Sequence, residues 1–174
     1  MRQLLLLRHA KSSWADPGLH DFERPLNARG HDATPGMAQY IRASGYDPDQ
    51  ILCSSARRTR ETLAHLLPVL PAAKDIRILP ALYEADGPGY AEIIRKQATG
   101  SRVMLIGHNP SIEDLGLQLS SNADSPDRKR MAQKYPTCSL AVFEMSATWD
   151  KLDARNAQLT GFITPAMLTL DSGI

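Results

Sequence analysis

Cysteine is scarce in this chain: Cys53 and Cys138 are the only two in 174 residues. Two thiols make no disulfide framework, and neither sits in a CxxC or Cys/His spacing that zinc would use, so a reducing compartment is the expected setting. An excess of charge of one sign is missing as well, because twenty Lys and Arg against nineteen Asp and Glu leave +1. That balance produces no long-range field for nucleic acid or anionic lipid, and any anion must be met by a local cluster of cations. Long hydrophobic runs are also lacking. The four leucines at 4–7 are bracketed by Arg2 and Arg8, too short a run for a signal-peptide core or a bilayer crossing. The expectation is a cytoplasmic protein with neither a membrane nor a nucleic-acid partner. The Gly-rich phosphate loops are missing too: neither GxxxxGK followed by Ser or Thr nor GxGxxG occurs.

What is present is an ordinary soluble composition, 43% hydrophobic and 22% charged, in a length that suits a single domain over 1–174. Short apolar runs at 3–7, 50–53, 76–79 and 103–106 read as strands, the first buried on both faces. Later runs at 139–145 and 158–163 read the same way. Between them lie helical patterns. Thr34-Pro35 looks like an N-cap followed by proline, leading into Met37, Ala38 and Ile41 and ending at Gly45. Asn109-Pro110 repeats the device ahead of Ile112, Leu115 and Leu119, Ser55 is placed to cap a helix carrying Thr59, Thr62, Leu63 and Leu66, and 89–98 is a further helix. The polar stretch at 120–130 reads as an exposed loop. Alternation of this kind predicts a three-layer α/β/α sandwich on a mostly parallel, mixed sheet of about six strands.

Ligands of open α/β sheets bind beyond the carboxyl ends of the strands. Those positions hold Arg8-His9-Ala10-Lys11 after the first strand, Ser54-Ser55-Ala56-Arg57-Arg58 after the second and Gly107-His108-Asn109 after the fourth. A lone histidine is more often a hydrogen-bonded core residue, but two at strand mouths beside arginines favour one shared site. Arginine forks and helix N-termini suit a dianionic phosphoryl group. A metal suits it badly, since no carboxylate cluster stands beside these histidines and the guanidinium cations would repel a divalent ion. Asp16, His20 and Asp21 could be drawn as a metal trio, but their Pro-Gly loop reads better as a pocket rim, and Trp14 and Trp149 read as packing residues.

Four segments carry a family resemblance. Leu7-Arg8-His9-Ala10-Lys11 resembles the RHG-type motif of the histidine phosphatase superfamily, the phosphoglycerate-mutase-like proteins. Arg24-Pro25-Leu26-Asn27 with Gly30 is similar to its RPLT-x-x-G stretch. Ser54, Arg58 and Thr62 match the spacing of its SP-x-x-R-A-x-x-T segment, and Gly107-His108-Asn109-Pro110 is similar to its second histidine motif. The short length and the lack of inserted lid segments look most like the SixA-type phosphohistidine phosphatases. The departure at Ala10, where the family has glycine, asks the backbone there to accept a Cβ.

The resemblance implies a metal-independent, cofactor-free phosphatase in which His9 attacks phosphorus and carries a transient phosphohistidine. Arg8 and Arg58 would keep the imidazole neutral by like-charge repulsion and, with His108, stabilise the transferring phosphoryl group. Arg57 competes for the role of Arg58. Glu84 is the candidate proton donor with Asp86 as runner-up, although an imidazole leaving group needs a donor less than an alkoxide does. Arg24, Ser54 and Asn109 are candidate substrate contacts; for Arg24 a salt bridge to Glu23 or Asp21 stands beside that reading. The implied partner is a phosphohistidine protein or a small phosphate ester, met by a monomer. The alternatives are a small-molecule phosphomonoesterase or mutase, or a phosphoprotein-binding module without turnover.

Overall fold

The leucines of the first strand have no exposed surface, and a strand apolar on both faces belongs in the middle of a covered sheet. The computed structural model, which describes residues 1–171, places it there. β1 (Arg2–Arg8), β2 (Gln50–Ser54), β3 (Asp75–Leu79), β4 (Arg102–Gly107), β5 (Leu140–Met145) and β6 (Ala157–Ile163) form one sheet in the order β3-β2-β4-β1-β5-β6. The pairs β3·β2, β2·β4 and β4·β1 are parallel, while β1·β5 and β5·β6 are antiparallel. The expected six-stranded mixed sheet is therefore observed.

Side chains alternate across the sheet with period two. Leu5, Leu7, Met104, Ile106, Leu140 and Val142 join one core with Met37, Ala38 and Ile41 of α1 (Ala28–Ala43) and Leu63 and Leu66 of α2 (Arg57–Leu66). Leu4, Leu6, Val103, Leu105, Ala141 and Phe143 join the other. That core is closed by Tyr90 and Ile94 of α4 (Gly87–Gln97), Ile112 and Leu115 of α5 (Ser111–Leu119) and Met131 of α6 (Pro126–Gln133). A one-turn α3 (Ala81–Glu84) precedes α4, and α7 (Pro165–Asp171) lies against α1. No helix among the described residues is long and apolar enough to cross a membrane.

Helix starts depart from the sequence reading. α1 begins well before Thr34, because the Asn27 side chain accepts from the Gly30 N–H and caps the helix there. Pro35 lies inside it, and the Thr34 hydroxyl bonds the Gly30 carbonyl at 2.8 Å instead of capping. At α5 the capping residue is Pro110 itself, while the Asn109 amide turns to Glu113 at 2.9 Å. α2 starts after Ala56 without a side-chain cap, so Ser55 does not serve. The segment read as a loop at 120–130 folds from Pro126 onward into α6, with Ser125 as its cap.

Gly30 is the contact through which α1 approaches the segment after β1. A Cβ there would stand 2.2 Å from the Lys11 carbonyl oxygen and 3.0 Å from its nitrogen, and backbone cannot yield as a side chain would. Gly30→Ala is expected to lower stability by about 1–3 kcal/mol, read as a lower urea midpoint at unchanged m-value. An unchanged midpoint would show that the segment can move aside.

Candidate active site

The sheet order sets β2, β4 and β1 side by side and parallel, so their carboxyl ends form a single edge. Arg8 pairs in register with Gly107. One residue further on, the His9 N–H donates to the Gly107 carbonyl at 3.0 Å. His9 and His108 thus leave adjacent strands together, with ring centroids 5.3 Å apart.

His9 is held in one orientation. Its Nδ1 lies 2.7 Å from the Ala10 carbonyl oxygen, which can only accept, so Nδ1 carries the proton. Its Nε2 faces the Arg58 Nε–H at 3.3 Å, which can only donate. The neutral ring therefore presents its lone pair at Nε2. The Ala10 N–H donates to the Thr62 hydroxyl at 3.0 Å, which in turn donates to the Arg58 carbonyl at 2.7 Å. One turn of α2 thus fixes both the histidine loop and the arginine facing it. Ala10 is fully buried within the core under α1 and α2, so the methyl group that replaces glycine fills space there.

Burial, helped by the neighbouring His108 ring and the Arg58 and Arg8 cations, pushes His9 well below the usual imidazole range despite the Ala10 hydrogen bond. His108 is lowered to about 4, first by burial and then by Arg58 and Arg8, against the opposing charge of Asp21. Its backbone N–H rests on the Tyr90 hydroxyl at 3.0 Å, and its Nε2 meets the Ser54 hydroxyl at 2.7 Å. Arg8 donates from Nη1 to the Tyr135 carbonyl at 2.7 Å. Two buried nitrogens at the site, Arg8 Nε and His108 Nδ1, have no partner among the described residues; in a dry site such atoms are costly unless a ligand meets them.

His9, Arg8, Arg58 and His108 come together on this edge. The remaining candidates are placed differently. Ser54 is fully buried, with its hydroxyl 2.7 Å from His108 Nε2. Asn109 turns its amide to Glu113 and, at 3.4 Å, to the Tyr135 carbonyl. Arg24 is buried. Its Nε donates to Asp21 at 3.1 Å, and its Nη1 to the Ser12 hydroxyl at 3.0 Å and the Ser13 carbonyl at 3.2 Å. The exposed Trp14 ring, expected to pack, lies instead over its guanidinium. Arg57 points outward to Glu61 at 2.8 Å, which leaves Arg58 as the arginine beside His9. Glu84 is exposed at the end of α3 with no hydrogen bond or ion pair to any described residue, and Asp86 caps α4 by accepting from Gly89 at 2.8 Å. Among the described residues no three His, Cys, Asp or Glu side chains converge as metal ligands.

Asp21, read from sequence as part of a rim, is central to this geometry. It lies in a 3-10 turn, Asp21–Glu23. Its backbone carbonyl accepts from Arg58 Nη1 at 2.7 Å, and its Oδ2 accepts from Arg58 Nη2 at 3.0 Å and from the Tyr83 hydroxyl at 2.8 Å. Partial burial works against ionisation, but the Tyr83 hydroxyl and the two arginines outweigh it and hold the carboxyl at about 2.

These environments have a pH signature. His108 is neutral in the fold but takes a proton in the unfolded chain below its ordinary value of 6.5. Stability is therefore complete above that pH and declines as pH falls toward 4, by up to about 3 kcal/mol from this residue, with His9 adding loss of the same sign. A bound dianion would stabilise the protonated ring, so saturating sulfate is expected to flatten the decline. Urea denaturation across this range checks both, and a profile that is flat without sulfate would contradict the buried, neutral histidines.

The model of the histidine phosphatase superfamily (branch 1) matches residues 4–98. An uncharacterized protein of Mycobacterium tuberculosis (strain ATCC 25618 / H37Rv) is 34% identical over 161 residues, covering 91% of this chain and 99% of the relative. Among solved structures, the candidate phosphohistidine phosphatase SixA of Agrobacterium tumefaciens superposes with a TM-score of 0.79 at 31% identity, over 94% of this chain and 98% of the other. The corresponding candidate from Nakamurella multipartitia gives 0.81 at 25% identity, over 94% and 96%.

Proposed function

The chain belongs to the histidine phosphatase superfamily, and from that premise we propose that it hydrolyses phosphohistidine in proteins through a covalent phosphohistidine on His9. The observation that carries the reading is the state of that ring: Nδ1–H pinned on Ala10 and the Nε2 lone pair turned to Arg58. Similarity to the candidate SixA phosphohistidine phosphatases of Agrobacterium tumefaciens and Nakamurella multipartitia supports the substrate class.

In the first step the Nε2 lone pair forms a bond to phosphorus as the substrate's P–N bond breaks and its electron pair returns to the departing imidazole. Arg58, Arg8 and His108 surround the position the equatorial oxygens would take, where charge and positioning account for most of the acceleration. His9 keeps its Nδ1 proton on Ala10 and becomes a phosphorylated imidazolium. In the second step water attacks phosphorus, the N–P pair returns to Nε2, and both water protons leave with inorganic phosphate. Two connections at this edge are too short to build a lid, Ser55 and Ala56 between β2 and α2 and three residues between β4 and α5, which leaves the longer segment between β1 and α1 to shape the mouth through which a protein-borne phosphohistidine would enter.

Phosphate release from a phosphohistidine peptide tests this. His9→Ala is expected to lower kcat/KM on the order of 10⁴-fold, and Arg58→Ala about 10³-fold. The wild-type protein should form an acid-labile phosphoenzyme that is missing in His9→Ala. Turnover that survives in His9→Ala would overturn the covalent mechanism.

A further inference from the structure

We propose that Asp21 is a specificity-determining residue: its carboxylate accepts the ring N–H of the leaving imidazole and so favours phosphohistidine over phosphate esters. The proposal rests on the phosphohistidine reading above. Its starting point is an apparent disadvantage. Among the described residues Asp21 is the only carboxylate bonded to Arg58, and a fixed negative charge beside that guanidinium repels any dianionic phosphoryl group, whatever carries it.

Positioning of Arg58 does not account for the charge. Arg58 is already held at Nη1 by the Asp21 backbone carbonyl at 2.7 Å and faces His9 Nε2 from its Nε at 3.3 Å, and a neutral amide oxygen in place of the carboxylate would still accept from Nη2, though more weakly. Nor is the side chain sealed in. It is 49% exposed, whereas His9 and His108 are 6% and 7% exposed, so Asp21 lies at the mouth of the site and the histidines at its floor. Capacity remains on the carboxylate. Oδ2 accepts from both Tyr83 and Arg58, while Oδ1 accepts only from Arg24, and a carboxylate oxygen has two lone pairs.

The chemistry of phosphohistidine supplies a donor for that lone pair. When the P–N bond breaks, the departing ring is neutral imidazole only if its other nitrogen already carries a proton. A carboxylate hydrogen-bonded to that N–H keeps the ring protonated at higher pH, by about one unit or more, which is roughly tenfold in the reactive fraction above its pKa. A phosphate ester has no such N–H and meets only the repulsion. The groups that act on Asp21 are Arg24 just beyond its turn, Arg58 of α2, Tyr83 of α3 and His108 after β4, and His20 and Glu23 stand beside it in the chain. With the carboxyl held at about 2, Asp21 stays ionised throughout the range in which an imidazolium titrates.

The test compares kcat/KM for a phosphohistidine peptide with that for p-nitrophenyl phosphate, in wild type, Asp21→Asn and Asp21→Ser, as a function of pH. Both substrates need Arg58, so loss of positioning alone would depress both activities and leave their ratio fixed. The expected result is a phosphohistidine-to-ester ratio at least tenfold lower in both variants at about pH 8. The alkaline limit of phosphohistidine turnover should also fall about one pH unit. Parallel loss on both substrates would overturn the role of Asp21 and leave the phosphohistidine reading standing. Wild-type protein that cleaves the ester but not phosphohistidine would overturn both.

Discussion

The pairing of Arg8 with Gly107 across parallel β1 and β4 is the constraint on which the site depends. It sets two chain segments, each with histidine as its next residue, to leave the sheet at the same level, and the hydrogen bond from His9 N–H to the Gly107 carbonyl carries that register one residue past the strand. A slip of one residue would turn every side chain of β1 to the opposite face. Because one face holds Leu5 and Leu7 under α1 and α2 and the other holds Leu4 and Leu6 under α4 and α5, such a slip would exchange the residues that the two cores are packed around. The apolar cores therefore guard the position of the histidines.

The second link runs through α2. Thr62 is fully buried and joins the Ala10 N–H to the Arg58 carbonyl. The loop bearing His9 and the helix bearing Arg58 thus move as one piece. A threonine suits this because its hydroxyl can donate back to the carbonyl four residues earlier while accepting from elsewhere. Pinning of this kind restricts His9 to the ring orientation in which Nε2 faces Arg58, and such preorganisation costs no rearrangement at the moment of reaction.

Much of the sheet was legible in the sequence because most strands are short, largely apolar runs, β1 ending at Arg8 and β4 at Gly107, and the β1 leucines announce burial on both faces. The residues at the mouths of β1, β2 and β4 were legible as candidates for the same reason, since strand ends can be located from the run alone. Helix starts were not. Thr34-Pro35 has the form of a cap, yet Asn27 caps earlier, and a proline inside the helix is tolerated at the loss of one backbone bond. Asp21 was hidden because it reaches Arg58 from a 3-10 turn that belongs to no strand end. At α3 one residue makes the difference. A helix turns about 100° per residue, so Tyr83 faces inward to Asp21 while its neighbour Glu84 faces solvent, and a motif match to the segment does not reveal which of the two faces the site.

Charge within the site explains how the near-neutral balance of the whole chain is consistent with anion chemistry. Arg8, Arg58 and Arg24 are gathered around two buried imidazoles, and each added positive charge there is expensive in a low-dielectric setting. The protein meets that cost in two ways. It keeps both histidines neutral, through burial and the arginines themselves, and it places one ionised carboxylate where both Arg24 and Arg58 can reach it. Neutral imidazole is the form the proposed nucleophile requires, and burial together with the crowded cations keeps His9 in it. Burial remains the larger cause of the neutral His9, so removing Arg8 or Arg58 would ease its protonation only in part, while the charge that the proposed function assigns to the phosphoryl group would go in full.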